Sequence, residues 1–179
     1  MTTVNLQVGA SADDARQNGT SMNLTNTNII IASTTAYGGF RWTTTIPAGA
    51  TIDSADVQFN AYTTTRDDPN VDIYFEANVA AGTFTSGASD ITNRTQTTAK
   101  SNWNGSGIGT GWHTISVTAV VQEVSDIGAI TAPAALVYGV TGTDIALRTY
   151  DHTTSLAAKL DVTYTEAGGA IMTTNKGFW

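Results

Sequence analysis

The sequence predicts an all-β chain folded as an antiparallel β-sandwich, with one short helix and an extended C-terminal tail. Several stretches alternate between apolar and polar residues at period two, which is the pattern of half-buried strands. Threonine is the most frequent residue type and the 179-residue chain has 17 glycines, so β-branched and turn-forming residues dominate. Turn signals separate the alternating stretches at spacings typical of a sandwich. The length fits one domain with one core.

Residues 38–62 contain the clearest pair of predicted strands. The first alternates around Phe40 and Trp42, and the second around Val57 and Phe59. A turn containing proline and glycine separates the two strands. One face of each strand is therefore expected in the core, and the polar opposite face in water or against a partner.

The other elements follow in chain order. The further predicted strands are residues 4–8, 28–31, 71–77, 112–117, 135–141, 145–150 and 160–165. The predicted loops and turns are residues 11–28, 63–70, 80–102 and 103–111. One helix is predicted over residues 118–125, because Thr118 can cap it, apolar residues recur at helical spacing and Gly128 ends it. A double glycine then separates a sandwich domain, residues 1–166, from a C-terminal arm, residues 167–179.

Charge and composition exclude several classes of partner. The chain has 15 acidic and 8 basic residues, a net charge of −7, without a cluster of lysine or arginine. Nucleic acid and anionic membranes are therefore not expected as partners. The N-terminal residues do not form a secretory signal, and no stretch approaches the roughly 18 apolar residues of a membrane-spanning helix. There is no cysteine, so neither a disulfide nor a thiolate metal site is possible.

The order of several segments carries a family resemblance. These segments are GGFRW followed by IPAGATIDSADVQF, then SDITNRTQTTAKSNW, GWHTISVTAVVQEV and LRTYDHTTSLAAKLDVTY. Together they resemble the single jelly-roll modules of the DNRLRE type, relatives of carbohydrate-binding modules in secreted microbial proteins and phage-like virion proteins. The resemblance implies a jelly-roll sandwich that binds or assembles and is not an enzyme. Where the family pattern has an aromatic-Ser-Arg-Glu run, this chain departs from it, so no ligand or metal role is transferred to Arg148 or Asp151.

No pattern in the sequence predicts catalysis. The two histidines, His113 and His152, have no second ligand at metal spacing. Ser89 lacks the second glycine and the strand-to-helix context of a nucleophile elbow. The glycines of residues 103–111 lack the spacing and the basic residue of a phosphate-binding loop. We therefore expect a non-catalytic protein.

Two pairs of adjacent carboxylates are candidates for binding calcium. Asp13 with Asp14 and Asp67 with Asp68 could supply oxygen ligands, although neighbouring side chains on a strand point apart. Solvated turn residues are the favoured interpretation of both pairs. If calcium binds at all, Asp13 and Asp14, with a carbonyl from a neighbouring loop, are its predicted ligands. No other cofactor is expected.

Two tryptophans beside glycine-rich turns are candidates for stacking on sugar rings. Trp103 and Trp112 could form a platform, and Tyr74 and Asn102 could add hydrogen bonds to a glycan. The alternative is that the rings lie in the core. The core is the favoured interpretation for Trp112, which starts a strand, and both interpretations stay open for Trp103.

The C-terminal arm favours an assembly role. It carries Ile171, Met172, Phe178 and Trp179, and an apolar terminus left in water would be adhesive. Docking into a neighbouring chain is favoured over folding back. The leading hypothesis is a virion structural protein that decorates a bacteriophage-like capsid or forms part of a tail or fibre. Its expected partners are other virion proteins and copies of itself, with assembly in the host cytoplasm and release by lysis. The alternative is a carbohydrate-binding or adhesion module for cell-surface glycans.

Overall fold

The computed structural model describes residues 1–167, which form two antiparallel β-sheets packed face to face. The strands are β1 (Thr2–Gln7), β2 (Asp14–Asn18), β3 (Ser21–Asn23), β4 (Asn28–Ile31), β5 (Ala36–Arg41), β6 (Thr51–Ala61), β7 (Asp67–Asp68), β8 (Asn70–Phe75), β9 (Ser101–Asn104), β10 (Gly111–Ser116), β11 (Ala134–Gly139), β12 (Asp144–Arg148) and β13 (Lys159–Thr165). A single α-helix among these residues, α1, spans Thr118–Ile127. Two 3₁₀ turns span Ser11–Asp13 and Thr154–Leu156. The predicted β-sandwich with one short helix is confirmed.

The strands divide between the two sheets as follows. Sheet A has the order β1-β13-β6-β12-β4, with β10 also paired to β6 and β7 to β12. Sheet B has the order β3-β2-β5-β11-β8-β9. The two strands predicted in residues 38–62 are β5 and β6, and they lie in different sheets. Their apolar faces therefore meet across the core.

Aromatic side chains from both sheets fill the space between them. The ring of Phe40 on β5 lies 4.8 Å from that of Phe59 on β6, centroid to centroid. Trp42 stacks on Phe75 at 6.3 Å, and its indole N–H donates to the carbonyl of Ala158 at 3.1 Å. The polar atom of this large buried ring is thus satisfied inside the core.

Helix α1 covers the part of β6 that β10 does not pair. Strand β10 pairs with residues 56–61 of β6 only. Beyond this, the amide of Ala55 donates to Thr118 Oγ1 at 3.0 Å, and that of Ile52 to Gln122 Oε1 at 2.7 Å. The apolar side of α1 packs into the main core. The helix therefore both closes the sandwich and protects a sheet edge. No helix of residues 1–167 is long and apolar enough to cross a membrane.

Residues 11–28, predicted to be a loop, contain the hairpin β2–β3. Strand β2 has no apolar alternation, because its buried positions include polar side chains. Gln17 is buried, and its side-chain carbonyl accepts from the amides of Ile91 and Thr92 at 3.0 and 3.1 Å. Gln17 can be buried because its polar groups form hydrogen bonds, and this gives β2 no apolar pattern in the sequence. The prediction of a loop over residues 11–28 is therefore wrong. The predicted turns at residues 63–70 and 103–111 also differ, since they contain β7, parts of β8, β9 and β10.

The segment between β8 and β9 packs over the outer face of sheet B. Its residues Phe84 and Ile91 are buried, in a second apolar cluster with Leu136 of β11. Gly39 of β5 makes room for this contact, since a Cβ there would lie 2.4 Å from a ring carbon of Phe84. The long predicted loop of residues 80–102 is thus largely packed against sheet B. One outer face of the sandwich is therefore largely covered.

Candidate functional site

Trp112 lies on the outer face of sheet A. It is 36% exposed, on strand β10, where it is the register partner of Asn60 on β6. The ammonium nitrogen of Lys159 lies 4.3 Å from the centroid of its ring. The favoured prediction that Trp112 is in the core is therefore wrong. Ile115 points inward, and a residue three positions away on a strand faces the opposite side.

Tyr62 lies on the same face. It directly follows β6, and its amide continues the ladder by donating to the carbonyl of Ala146 at 2.8 Å. The alternation that buries Phe59 and Ala61 turns Asn60 and Tyr62 outward, and the Tyr62 side chain is 39% exposed. Its ring meets His152 edge-on at 5.4 Å and has the Arg148 guanidinium carbon 5.0 Å from its centroid.

Trp112 and Tyr62 are the only exposed aromatic side chains among residues 1–167. Because Trp112 is opposite Asn60, it is the diagonal neighbour of Tyr62, at a Cα separation of roughly 7–8 Å. We call the outer surface of sheet A around these two residues the aromatic face. A shallow polar cleft of about 370 Å³ lies on the same sheet and is lined by Asn5, Leu6, Gln7, Gln58, Lys159 and Asp161.

Hydrogen-bonding groups on the aromatic face include both donors and acceptors. Gln58 donates from Nε2 to Asp161 Oδ2 at 2.5 Å, which fixes both side chains. Asn60 is the register partner of Trp112 and stands two positions before Tyr62; it is 5% exposed, and its side-chain amide bonds to no other residue of the described chain. Fixed amides and carboxylates beside flat apolar rings match ligands with both C–H faces and hydroxyl groups.

Arg148 and His152 form the end of the aromatic face beside Tyr62. Arg148 Nη1 lies 2.8 Å from Nε2 and 3.3 Å from Nδ1 of His152. Burial, and then the charge of Arg148, lower the pKa of His152 below its usual value of 6.5. The imidazole is therefore neutral at pH 7 and accepts a hydrogen bond from the guanidinium. Only the arginine carries charge at this end.

Trp103 is not part of this surface. Its side chain is only 9% exposed, points into the core and stacks on Phe59 at 5.9 Å. The other neighbouring ring is that of His113, at 5.8 Å. Burying this large ring removes apolar area from water, which outweighs what an exposed platform would gain. Of the two interpretations left open for Trp103, the structure therefore supports the core.

Tyr74 and Asn102 lie on the opposite side of the molecule, in sheet B. The Tyr74 ring meets that of Tyr138 edge-on at 5.6 Å, within the second apolar cluster. Asn102 already donates from Nδ2 to Asp72 Oδ1 at 3.0 Å and to the carbonyl of Val71 at 3.2 Å. The structure thus separates the four predicted glycan-binding residues among two outer faces and the core. Only Trp112 lies on the aromatic face.

Asp13 and Asp14 face different partners. Asp13 Oδ1 pairs with Arg41 Nη1 at 2.6 Å. Asp14 is buried, and its Oδ2 accepts from the amide of Tyr150 at 2.7 Å. Among residues 1–167, no three histidine, cysteine, aspartate or glutamate side chains are grouped so as to hold a metal ion. The structure gives the calcium prediction no support, because both carboxylates have other partners.

The predicted assembly residues Ile171, Met172, Phe178 and Trp179 lie outside the described residues. The arm, the division of the chain at residue 166, and the virion role that depends on them therefore stay predictions from the sequence.

Comparison with known proteins adds distant structural likeness only. No protein-family model matches the chain, and no curated protein is similar to it in sequence. Among solved structures, a family 35 carbohydrate-binding module from Clostridium thermocellum, in its native form, is matched over 90% of this chain and 98% of that chain. The identity is 10% and the TM-score 0.38, a similarity too low to carry an inference about function. The DNRLRE-type resemblance stays a prediction at the level of the family.

Tyr62 is the functional candidate that sequence reasoning missed. It stands at the end of the strand pair predicted in residues 38–62, next to a polar turn, and is not among the predicted binding residues. The signal was present: once Val57 and Phe59 are placed inward, the alternation puts Tyr62 outward. The sequence could not show that β10 pairs with β6. This pairing brings Trp112 next to Tyr62.

Proposed function

We propose that the protein is a non-catalytic carbohydrate-binding module, and that the aromatic face binds the glycan. The observation that carries the proposal is the position of Trp112 and Tyr62. They are the two exposed aromatic side chains of the described residues, and both lie on one face of one sheet. The apolar C–H face of a sugar ring packs against an aromatic ring, while its hydroxyl groups need hydrogen-bonding partners.

Polar side chains supply those partners. Asn60 lies directly opposite Trp112 on β6 and two positions before Tyr62, and Gln58 and Asp161 hold each other in place in the adjoining cleft. These residues are on regular strands, so binding does not require a loop to become ordered. Lys159 lies over the Trp112 ring, and its flexible stem allows the ammonium group to move aside at a cost of about 0.5–1 kcal/mol.

The shape of the surface indicates an extended ligand. The cleft is shallow and continues along sheet A from β1 to β6, and the aromatic rings follow it on β10 and at the end of β6. An open surface of this kind suits several consecutive sugar units of an oligosaccharide or polysaccharide better than a single enclosed sugar.

A glycan screen with matched variants tests the proposal. The wild type is applied to an array of neutral and acidic glycans, and the best ligand is titrated by calorimetry. Trp112→Ala and Tyr62→Ala are each expected to weaken binding about tenfold or more, since each removes a stacking surface. Tyr74→Ala on sheet B is the matched control and should bind like the wild type. A wild type that binds no glycan, or loss of binding in Tyr74→Ala alone, would overturn the proposal.

A further inference from the structure

Among residues 1–167, Arg16 is the one arginine whose guanidinium makes no hydrogen bond or ion pair with another described residue. All five arginines lie within residues 1–167. Arg41, Arg66 and Arg94 each pair with a carboxylate at 2.6 Å, and Arg148 contacts His152. No carboxylate of the described residues lies within salt-bridge distance of Arg16, and its Nε is fully buried without a partner.

This arrangement is electrostatically unfavourable for the protein alone. Burial lowers the pKa of Arg16, and the neighbouring charge of Arg66 lowers it further. The guanidinium as a whole is only partly buried, but its Nε is shielded from water, and a buried N–H group without an acceptor costs free energy. In a chain with a net charge of −7, a positively charged spot without a counter-charge is unusual.

The surroundings of Arg16 supply further hydrogen-bond donors and no acid. A cleft of about 290 Å³ is lined by Arg16, Asn18, Ser21, Met22, Asn23 and Asn26. Asn23 uses its Oδ1 to accept from the amide of Thr25 at 2.9 Å, which leaves its NH₂ group free to donate. Three side-chain amides and a hydroxyl therefore surround the guanidinium.

The hairpin holds these groups in a fixed arrangement. Strand register places Arg16 opposite Asn23, and Asn18 opposite Ser21, across β2 and β3. Gly19 makes the turn with a positive φ of 57°, which glycine adopts without strain. The carbonyl of Asn26 is held by Thr149 Oγ1 at 2.6 Å. The cleft is thus formed before any ligand arrives.

The geometry points to a binding site for an oxyanion group in this cleft, with the Arg16 guanidinium as its charged partner. A planar guanidinium binds the two oxygens of a carboxylate, sulfate or phosphate side by side, and the amides can donate to the remaining lone pairs. The ligand class is a small anion or an anionic group on a larger molecule. The site is separate from the aromatic face and does not depend on the carbohydrate proposal.

Titration with simple anions, followed by NMR, tests this inference. The side-chain Nε–H signal of Arg16 is followed while sodium sulfate, sodium phosphate or sodium acetate replaces sodium chloride at constant ionic strength. Saturable shifts of this signal and of amides in residues 16–26 are expected for at least one anion. Acetate as the stronger ligand would identify a carboxylate site, and sulfate or phosphate a tetrahedral oxyanion site.

Two variants separate binding from folding. Arg16→Met should abolish the saturable shifts. Because Arg16→Met can also disturb the hairpin, Asn18→Asp is the second variant: it keeps the arginine and adds a competing carboxylate, so binding should weaken about tenfold or more. Asn104→Asp, with the same charge change on β9, is the control and should bind like the wild type. Shifts that do not saturate, or that are equal in Asn18→Asp and Asn104→Asp, would overturn the inference.

Discussion

At the scale of single residues, the two tryptophans show how strand parity decides whether a ring is buried or exposed. Trp103 and Trp112 both lie beside glycine-rich turns, and composition does not distinguish them. The structure buries Trp103 against Phe59 and leaves Trp112 on the surface. Ile115 and Val117 mark the inward-facing positions in and just after β10. Trp112 lies an odd number of residues from both, so strand alternation places its side chain on the outer face. Trp103 has no comparable apolar reference residue on its own strand, because β9 has only four residues.

This difference affects how binding experiments are designed. Replacing Trp103 with alanine leaves a cavity in the core, a change that commonly costs about 3–5 kcal/mol of stability. Loss of ligand binding in that variant would not distinguish a lost contact from a lost fold. Trp112 and Tyr62 are exposed, so their variants report on the surface alone.

Asp14 gives a prediction about pH. Burial raises the pKa of its carboxyl to about 7, the amide of Tyr150 opposes the rise, and the nearby Asp151 and Asp13 add to it. The folded state therefore holds this proton more tightly than the unfolded state, whose pKa is near 3.8. This stabilisation is complete below pH 4 and is lost as the pH rises through 7.

Asp14→Asn should remove that pH dependence. Asparagine stays neutral and can still accept the hydrogen bond from the amide of Tyr150. The free energy of unfolding of the variant, relative to that of the wild type, should therefore increase from pH 4 to pH 8. The expected difference is on the order of 4 kcal/mol in the free energy of unfolding, measured by urea denaturation at each pH. Asp53→Asn, at an exposed carboxylate, is the control. Parallel pH profiles for wild type and Asp14→Asn would show that the wild-type carboxyl is not held neutral.

At the scale of elements, Arg94 organises the long segment between β8 and β9. Its guanidinium pairs with Glu76 at 2.6 Å and Asp90 at 3.1 Å. It also donates to the carbonyls of Gly82 and Thr83, both at 2.9 Å. One side chain thus connects distant parts of a segment with little regular structure.

Arg94→Met should release this segment. Removing the guanidinium leaves two poorly exposed carboxylates without a partner, and the free energy of unfolding should fall by about 3 kcal/mol. Limited proteolysis should cut faster within residues 77–100. The matched control is Lys100→Met, whose ion pair with Asp72 is half exposed on the lysine side, and whose loss of stability should be much smaller than that of Arg94→Met. Equal losses in both variants would contradict the role assigned to Arg94.

Elements with an apolar pattern could be predicted from the sequence, and elements without one could not. Strand β4 and helix α1 were identified because their isoleucines and valines recur at strand or helix spacing. Strand β2 was missed because hydrogen bonds, not apolar side chains, allow its burial, as Gln17 shows. Strand β9 was missed because its one apolar residue, Trp103, stands between asparagines.

At the scale of the whole molecule, the two outer faces differ in access. The segment carrying Phe84 and Ile91 covers much of sheet B. The central part of the outer face of sheet A carries Trp112, Tyr62 and the polar cleft, and no segment of residues 1–167 packs over these exposed rings. A large ligand therefore has open access to sheet A. Pairings between distant strands, such as β1 with β13, create this face, and local sequence patterns do not encode them.

The most direct test of the aromatic face is a map of amide chemical shifts during titration with the glycan that binds best in the screen. Binding at the aromatic face should produce saturable shifts concentrated in residues 56–62, 112–114, 148–152 and 159–161, with sheet B unchanged. Shifts concentrated around Tyr74 and Asn102 on sheet B, with the residues around Trp112 and Tyr62 unaffected, would contradict it.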